Sequence, residues 1–321
     1  MDATQAPIPP VALATRVGPG ESTDPIAAYL REGAAVRERI ERLLPEDWDW
    51  SGASILDFGC GAARVLRQFL AEAEHAQFWG CDIDAPSIAW VEANLSPPLR
   101  VFRNEPKPPL PLDARSFDLV YATSVFTHIS DAWTDWLLEM HRILAPRGRL
   151  IASFLGEGMW EALIGEPYRE DAVGMTVRRH WTAEDAWVFH SEWWLREHWG
   201  RLFDITAIAR PPRDEAGRPQ VTHSYVALTR RDAALTRDEL ERCRPSEPRE
   251  LAALQTEVRL LRQELAALAD QPAAPPPSAR TALRHAVVSS PLGRPARSVR
   301  RRLRALQTAV AKRANVDAPK P

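Results

Sequence analysis

Residues 57–61, Asp-Phe-Gly-Cys-Gly, combine an acid with two closely spaced glycines. The preceding Ile55 and Leu56 are typical of a buried parallel strand. Glycine allows a sharp turn and lets the backbone approach a ligand that a Cβ would obstruct. A helix that begins after such a turn offers unpaired N–H groups to an anion, and Asp57 can accept from an amine or hydroxyl. This pattern predicts a turn for a nucleotide-type cofactor, and a strand–helix turn without a ligand is the alternative.

A second acid, Asp82, follows a short apolar stretch at the distance where the second strand of a βαβ unit is expected to end. A carboxylate at that place can bind both hydroxyls of a ribose. The two acids together therefore favour a bound ligand over an empty turn.

Strand and helix patterns alternate around these acids. Apolar stretches that include 117–122 and 149–154 predict further strands, and helix patterns separate the strands. One such helix is predicted directly after the glycine turn, with apolar positions at Val65, Leu66, Phe69 and Leu70. The alternation predicts a parallel sheet with right-handed crossovers. The segments 201–208 and 222–228, separated by Pro and Gly, predict a closing hairpin.

In four motifs, 56–61, 80–83, 116–120 and 144–150, the chain resembles the class I S-adenosylmethionine-dependent methyltransferases. The resemblance covers about residues 10–230 and implies an α/β fold. This fold is a seven-stranded, mostly parallel Rossmann-like sheet with an antiparallel closing hairpin. The third glycine of the family's turn is Ala63 here, a small residue that should preserve the turn. A nicotinamide-binding Rossmann domain expects a glycine at position 64, where Arg64 stands, so that alternative is disfavoured.

The resemblance also implies S-adenosylmethionine as the cofactor and a set of residues around it. For the methionine part it implies Asp57, Gly59 and Gly61, and for the ribose it implies Asp82. For the adenine it implies Ile83 with Asn104 or Glu105, and for the sulfonium Thr123 with Ser124.

Methyl transfer to a hydroxyl requires a group that removes the proton, and histidine often has this role. His128, just after the fourth strand, is the first candidate for a catalytic base, and His190 is the second. A carboxylate or amine acceptor needs no base, so a structural role for either histidine stays open.

The segment 156–200 holds six of the twelve tryptophans of the chain. Loops beyond the carboxyl ends of the strands face the substrate in this kind of fold. Indole rings can stack on sugars or simply pack a helix over 191–199 onto the sheet. Both interpretations apply to Trp160, Trp181, Trp187, Trp193, Trp194 and Trp199.

We predict a leader over 1–24 and a methyltransferase domain over 25–230, beginning with a helix that either covers the cofactor or packs on the sheet edge. In the leader, Arg16 could reach the cofactor carboxylate. The three cysteines are not spaced as metal ligands, so neither a disulfide framework nor a metal is expected.

Beyond residue 230 the composition changes. A coiled-coil helix is predicted over 234–270, because leucines and one valine repeat in a 3-4 pattern, and it favours a homo-oligomer. A helix packed on its own domain is the alternative. The pattern residues are Leu251, Leu254, Val258, Leu261, Leu265 and Leu268. A proline-rich linker is predicted over 271–279 and a basic amphipathic or disordered tail over 280–321. Residues 272–321 hold eleven Lys or Arg and one acid, a charge of +10, although the whole chain carries −2.

These features predict a methyltransferase that O-methylates a surface glycan or a lipid-linked sugar. The basic tail would contact an anionic membrane at its inner face, in a protein that is otherwise cytoplasmic. Nucleic acid is not expected, because the tail lacks interleaved aromatic residues. The alternatives are a small-molecule or natural-product methyltransferase and a non-catalytic cofactor-binding scaffold that acts through its coiled coil.

Overall fold

The structure, a computed structural model, describes residues 5–17, 22–179, 186–244 and 246–269. The chain divides into two units, 1–170 with 175–241, and 171–174 with 242–321. The helices and strands described in the first unit are α1 Val11–Ala14, α2 Pro25–Leu43, β1 Ser54–Phe58, β2 Gln77–Asp82, α3 Ala85–Leu95, β3 Arg100–Arg103, β4 Phe117–Ala122, α4 Trp133–Ile143, β5 Leu144–Phe154, α5 Glu157–Ile164, β6 Met175–Arg179, β7 Ala186–His190, α6 Glu192–His198, β8 Phe203–Ala209, β9 Ser224–Arg230 and α7 Arg237–Glu241. In the second unit the described helix is α8 Pro248–Ala269.

The first unit is built on a seven-stranded sheet with the order β3-β2-β1-β4-β5-β9-β8. Strands β1 to β5 pair in parallel, whereas β9 is antiparallel to both β5 and β8. Successive strands are added on one side of β1 up to β3 and on the other side from β4 onward, so the strand order reverses between β1 and β4. Sheets of this kind bind ligands at such a point, at the carboxyl ends of their strands. The predicted fold class, including the closing hairpin, is confirmed.

The central strands are apolar because both faces of the sheet are covered. Ile55 and Leu56 of β1 and Leu119 and Val120 of β4 have no exposed surface. Continuous apolar runs of this kind are characteristic of strands in buried parallel sheets.

Three helices near the carboxyl edge of the sheet begin at side-chain caps. Asp24 accepts from the amide of Ala27 at the start of α2, and Asp84 accepts from the amide of Ser87 at the start of α3. Ser191 caps α6 in the same way, and this confirms the helix predicted over 191–199. These caps satisfy amides that the first helical turn leaves unpaired.

The helix predicted directly after the glycine turn is wrong. The structure has turns there, followed by short 3-10 segments over Leu66–Phe69 and Glu72–Glu74. The φ angles of Gly61 and Ala63 are +50° and +63°, and a right-handed α-helix cannot include such residues. The apolar spacing that suggested a helix instead reflects the burial of Leu66, Phe69 and Leu70 against the sheet.

The single coiled-coil helix predicted over 234–270 is also wrong in its extent. Helix α7 ends at Glu241, and α8 starts at Pro248, where the fixed φ of proline suits a first helical turn. All six residues of the 3-4 pattern lie within α8. The linker 271–279 and the tail 280–321 lie outside the described residues. None of the described helices is both long enough and apolar enough to cross a membrane.

We predict that Gly59→Ala destabilises the fold by about 2–5 kcal/mol, because strain and a steric clash add. Gly59 has a φ of +85°, and a Cβ there would lie 2.3 Å from Cγ2 of Val125. Gly217 provides the control, since its φ is +76° and a Cβ would meet no atom within 4 Å. Gly217→Ala should cost only about 1 kcal/mol. Denaturant unfolding measures both changes, and equal losses would contradict the steric argument.

Candidate active site

The glycine turn is tied to the end of β2 by backbone hydrogen bonds. The amides of Gly59 and Cys60 donate to the carbonyl of Cys81 at 2.8 and 3.0 Å. The amide of Gly61 donates to Oδ2 of Asp82 at 2.8 Å. These amides are therefore used within the protein, and the helix N-terminus expected to receive an anion is absent.

The glycine turn can pack closely against β2 because position 80 is a glycine. A Cβ at Gly80 would lie 2.7 Å from Cδ2 of Leu66 and 2.9 Å from Sγ of Cys60. The buried thiols of Cys60 and Cys81 are free, and Sγ of Cys60 occupies the space beside Gly80. No group of three or more potential metal-ligating side chains occurs in the part of the chain that the structure describes.

Asp57, near the end of β1, is a buried carboxylate with one unsatisfied oxygen. It is 2% exposed, and its Oδ2 has no hydrogen-bond partner among the described residues. Burial raises the pKa of Asp57 to about 8; the Tyr121 hydroxyl opposes this rise and the charge of Asp82 adds to it. A buried acceptor beside a glycine turn fits the ammonium group of a ligand. Asp57 therefore stays the predicted contact for the methionine part of the cofactor.

The residues predicted for the ribose and the adenine lie together at the neighbouring strand ends. Oδ1 of Asp82 accepts from the amide of Asp84 at 2.8 Å, and the carbonyl of Asp82 accepts from the amide of Asn104 at 3.1 Å. Ile83 is 55% exposed, which leaves an apolar surface for a flat ring. Oδ1 of Asn104 is buried without a partner in the described chain, whereas Glu105 is exposed. The geometry therefore favours Asn104 over Glu105.

Thr123 and Ser124 form a strained turn at the end of β4. Ser124 has a φ of +60°, and its amide donates to Oγ of Ser153 on β5 at 2.7 Å. Thr123 lies against the hydroxyl of Tyr225 on β9. Residues in this region of φ often occur at functional sites, because the surrounding structure must impose them.

His128 is an exposed side chain beside this turn. Its Nδ1 lies 3.2 Å from the carbonyl of Ala186, and its Nε2 lies 3.4 Å from Oγ of Ser124. Because a carbonyl can only accept, Nδ1 carries the proton in this arrangement, and Nε2 has a lone pair that can accept from the hydroxyl of Ser124 or of an acceptor.

Another histidine, His223, lies just before β9 and interacts electrostatically with His128. Burial lowers the pKa of His223 to about 4, and the electrostatic interaction with His128 adds to this effect. His223 is therefore neutral at pH 7. Sequence reasoning missed it, because its closeness to His128 arises only from the antiparallel pairing of β9 with β5.

His190, the second candidate base, has no exposed surface. Its ring centroid lies 5.3 Å from that of Trp194 and 5.8 Å from that of Trp199. Burial among these rings removes His190 from contact with an acceptor that arrives from solvent.

The tryptophan-rich segment mainly builds the core. Trp160, Trp193, Trp194 and Trp199 are buried, and Trp187 is half-buried. Trp181 lies outside the described residues. For the four buried rings the packing interpretation is correct, and they present no face on which a sugar could stack.

The N-terminal region contacts the glycine turn. The hydroxyl of Tyr29 on α2 donates to the carbonyl of Ala62 at 2.7 Å. Arg16, considered for the cofactor carboxylate, instead pairs with Asp84. Sequence reasoning did not identify Tyr29, since a side-chain bond to a distant carbonyl leaves no local pattern.

Comparisons with known proteins find one matching family model and several solved structures. Residues 56–152 match a family model described as a methyltransferase domain. An S-adenosylmethionine-dependent methyltransferase from Mesorhizobium loti is 22% identical, with 62% of this chain and 99% of that chain covered and a TM-score of 0.48. The 1,6-didemethyltoxoflavin-N1-methyltransferase of Burkholderia thailandensis, solved with S-adenosylhomocysteine, is 20% identical, with 64% and 79% covered and a TM-score of 0.45.

The match to the family model begins within β1 and ends within β5, so it spans the turn, Asp82 and the end of β4. The strand order and the unsatisfied carboxyl oxygen of Asp57 are independent of that match and are compatible with it. Residues 56–152 therefore belong to a methyltransferase domain, and its site fits S-adenosylmethionine as the cofactor.

Proposed function

We propose that the chain methylates a hydroxyl group, with His128 as the general base. The observation that carries this proposal is the fixed ring of His128. Ala186 holds Nδ1, and Nε2 is directed toward Ser124 at the end of β4. A histidine held in one tautomer beside the methyl donor has the geometry that proton removal requires.

When bound, S-adenosylmethionine supplies an electrophilic methyl group on a positively charged sulfur. Asp57, Gly59, Gly61 and Asp82 would hold the cofactor, which would give its methyl group to the acceptor oxygen and leave as S-adenosylhomocysteine; Nε2 of His128 would take the hydroxyl proton. The turn at Thr123 and Ser124 positions the two reactants, so proximity and orientation supply much of the rate. His223, which stays neutral, adds no charge that would oppose protonation of His128.

For the acceptor, we propose a surface glycan or a lipid-linked sugar at an anionic membrane. The support is the +10 charge of residues 272–321, because basic segments are attracted to anionic lipids. The buried tryptophans lend no support to a sugar site. A soluble small-molecule acceptor is the alternative, and membrane partition distinguishes the two.

We further propose that α8 mediates self-association. Leu251 and Leu265, two heptads apart in the 3-4 pattern, are 54% and 66% exposed. Exposed leucines on one stripe of a helix are suited to a partner helix of the same kind.

Binding of S-adenosylhomocysteine should release about one proton at pH 6–7. Asp57, with a pKa of about 8, is largely protonated before binding, and a ligand ammonium selects the charged carboxylate. Affinity should therefore rise with pH up to about 8. Calorimetry in buffers of different ionisation enthalpy measures the released protons.

Asp57→Asn is the control for that experiment, because the amide cannot ionise. It should bind more weakly and lose this proton release. Equal proton release in both proteins would assign it to another group, and no binding by the unmodified protein would contradict the methyltransferase function.

His128→Gln should lower the rate of methyl transfer by about 10²–10⁴-fold and leave cofactor affinity within about twofold. Incubation with labelled S-adenosylmethionine and pools of glycans and metabolites, followed by mass spectrometry for an added CH₂, measures transfer. His75→Gln, at an exposed position, is the control. An unchanged rate for His128→Gln would exclude its role as a base.

Full-length protein should co-sediment with vesicles that contain anionic lipid, and a 1–271 truncation should not. The expected loss follows from removal of the basic segment, at roughly 1 kcal/mol per basic residue near the surface. Vesicles of neutral lipid are the control. Equal partition of the two proteins would remove the membrane proposal and favour a soluble acceptor.

A further inference from the structure

Arg64 follows the glycine turn directly and is held there by its backbone. A Cβ added at Gly33 of α2 would lie only 2.2 Å from the carbonyl oxygen of Arg64, so α2 packs closely on this backbone. Nε of Arg64 is buried and has no hydrogen-bond partner within the described ranges. Burial lowers the pKa of Arg64, which means that the fold keeps this cation at a cost.

Two nearby arginines show how this fold usually satisfies such a group. Arg67 donates to the carbonyls of Ala6 and Pro7 at 2.9 Å each. Arg37 pairs with Glu72. Arg64 differs from both, because the acids around it act on it only through their charges.

The acids that act on Arg64 are Glu32 and Asp57, and the hydroxyls of Tyr29 and Tyr225 add to their effect. Asp57 is itself a buried carboxylate with an unsatisfied oxygen. A guanidinium nitrogen of Arg64 and a carboxyl oxygen of Asp57 are thus both buried beside the turn without a hydrogen-bond partner in the described chain. An α-amino acid group, with its carboxylate and its ammonium on one carbon, is complementary to this pair.

We propose that Arg64 binds the α-carboxylate of the methionyl group of S-adenosylmethionine, opposite Asp57. The proposal depends on the cofactor assignment and goes beyond it, because it predicts selection for ligands that carry an intact amino acid group. Arg64 is then a binding residue, and its guanidinium matches a carboxylate in a way that lysine cannot.

Calorimetry with two ligands tests this role. S-adenosylhomocysteine carries the amino acid group, and 5′-methylthioadenosine has the same adenosine and sulfur without it. Arg64→Gln should weaken S-adenosylhomocysteine roughly tenfold or more and leave 5′-methylthioadenosine within about twofold. Arg64→Lys, which keeps the charge, should have an intermediate affinity for S-adenosylhomocysteine. Arg31→Gln, on the exposed side of α2, should bind both ligands normally.

Each other outcome overturns the proposal. An unchanged affinity of Arg64→Gln for S-adenosylhomocysteine would exclude the contact. An equal loss of affinity for both ligands would mean that Arg64 only supports the turn. If Arg64→Gln failed to fold, the affinities of Arg64→Lys for the two ligands would make the same comparison. Absence of binding by the unmodified protein would contradict the cofactor assignment itself, which is a distinct result.

Discussion

The site depends on one carboxylate that accepts two backbone amides. Asp82 receives the amide of Gly61 on one oxygen and the amide of Asp84 on the other, each at 2.8 Å. It therefore joins the turn after β1 to the start of α3, and it fixes the space between them. Because both oxygens are held, any ribose hydroxyl would meet acceptors whose positions are already set, and little ordering is needed on binding.

Asp57 shows the cost of preparing the site before a ligand arrives. A carboxylate with almost no exposed surface and an unsatisfied oxygen opposes folding as pH rises, since its folded pKa lies far above its ordinary value. The rest of the sheet, with the buried apolar residues of β1 and β4, must supply the stability that offsets this cost. Buried carboxyl groups with shifted pKa values are concentrated at functional sites, because only a functional role offsets their cost to stability.

Much of the fold was predictable, because buried parallel strands and their acids leave local patterns. The strand ends, Asp57 and Asp82 follow directly from such patterns. The burial of Asn104 favours it over Glu105, a choice that the proline-rich loop left open in the sequence. The absent helix after the turn was not predictable, since the left-handed φ of Ala63 reflects its tertiary setting. Contacts such as Tyr29 with Ala62, or His223 near His128, join distant segments and have no local signal.

The buried guanidinium of Arg67 holds the start of the chain through carbonyl oxygens, those of Ala6 and Pro7. Every residue type provides a carbonyl, so this tie constrains the length of the leader far more than its composition. Substitutions at the exposed position 7 can leave the tie intact, whereas an insertion or deletion nearby would shift which carbonyls meet the guanidinium. Related sequences are thus expected to vary in residue type at position 7, to keep a small residue at the buried position 6, and to preserve the spacing between this point and α2.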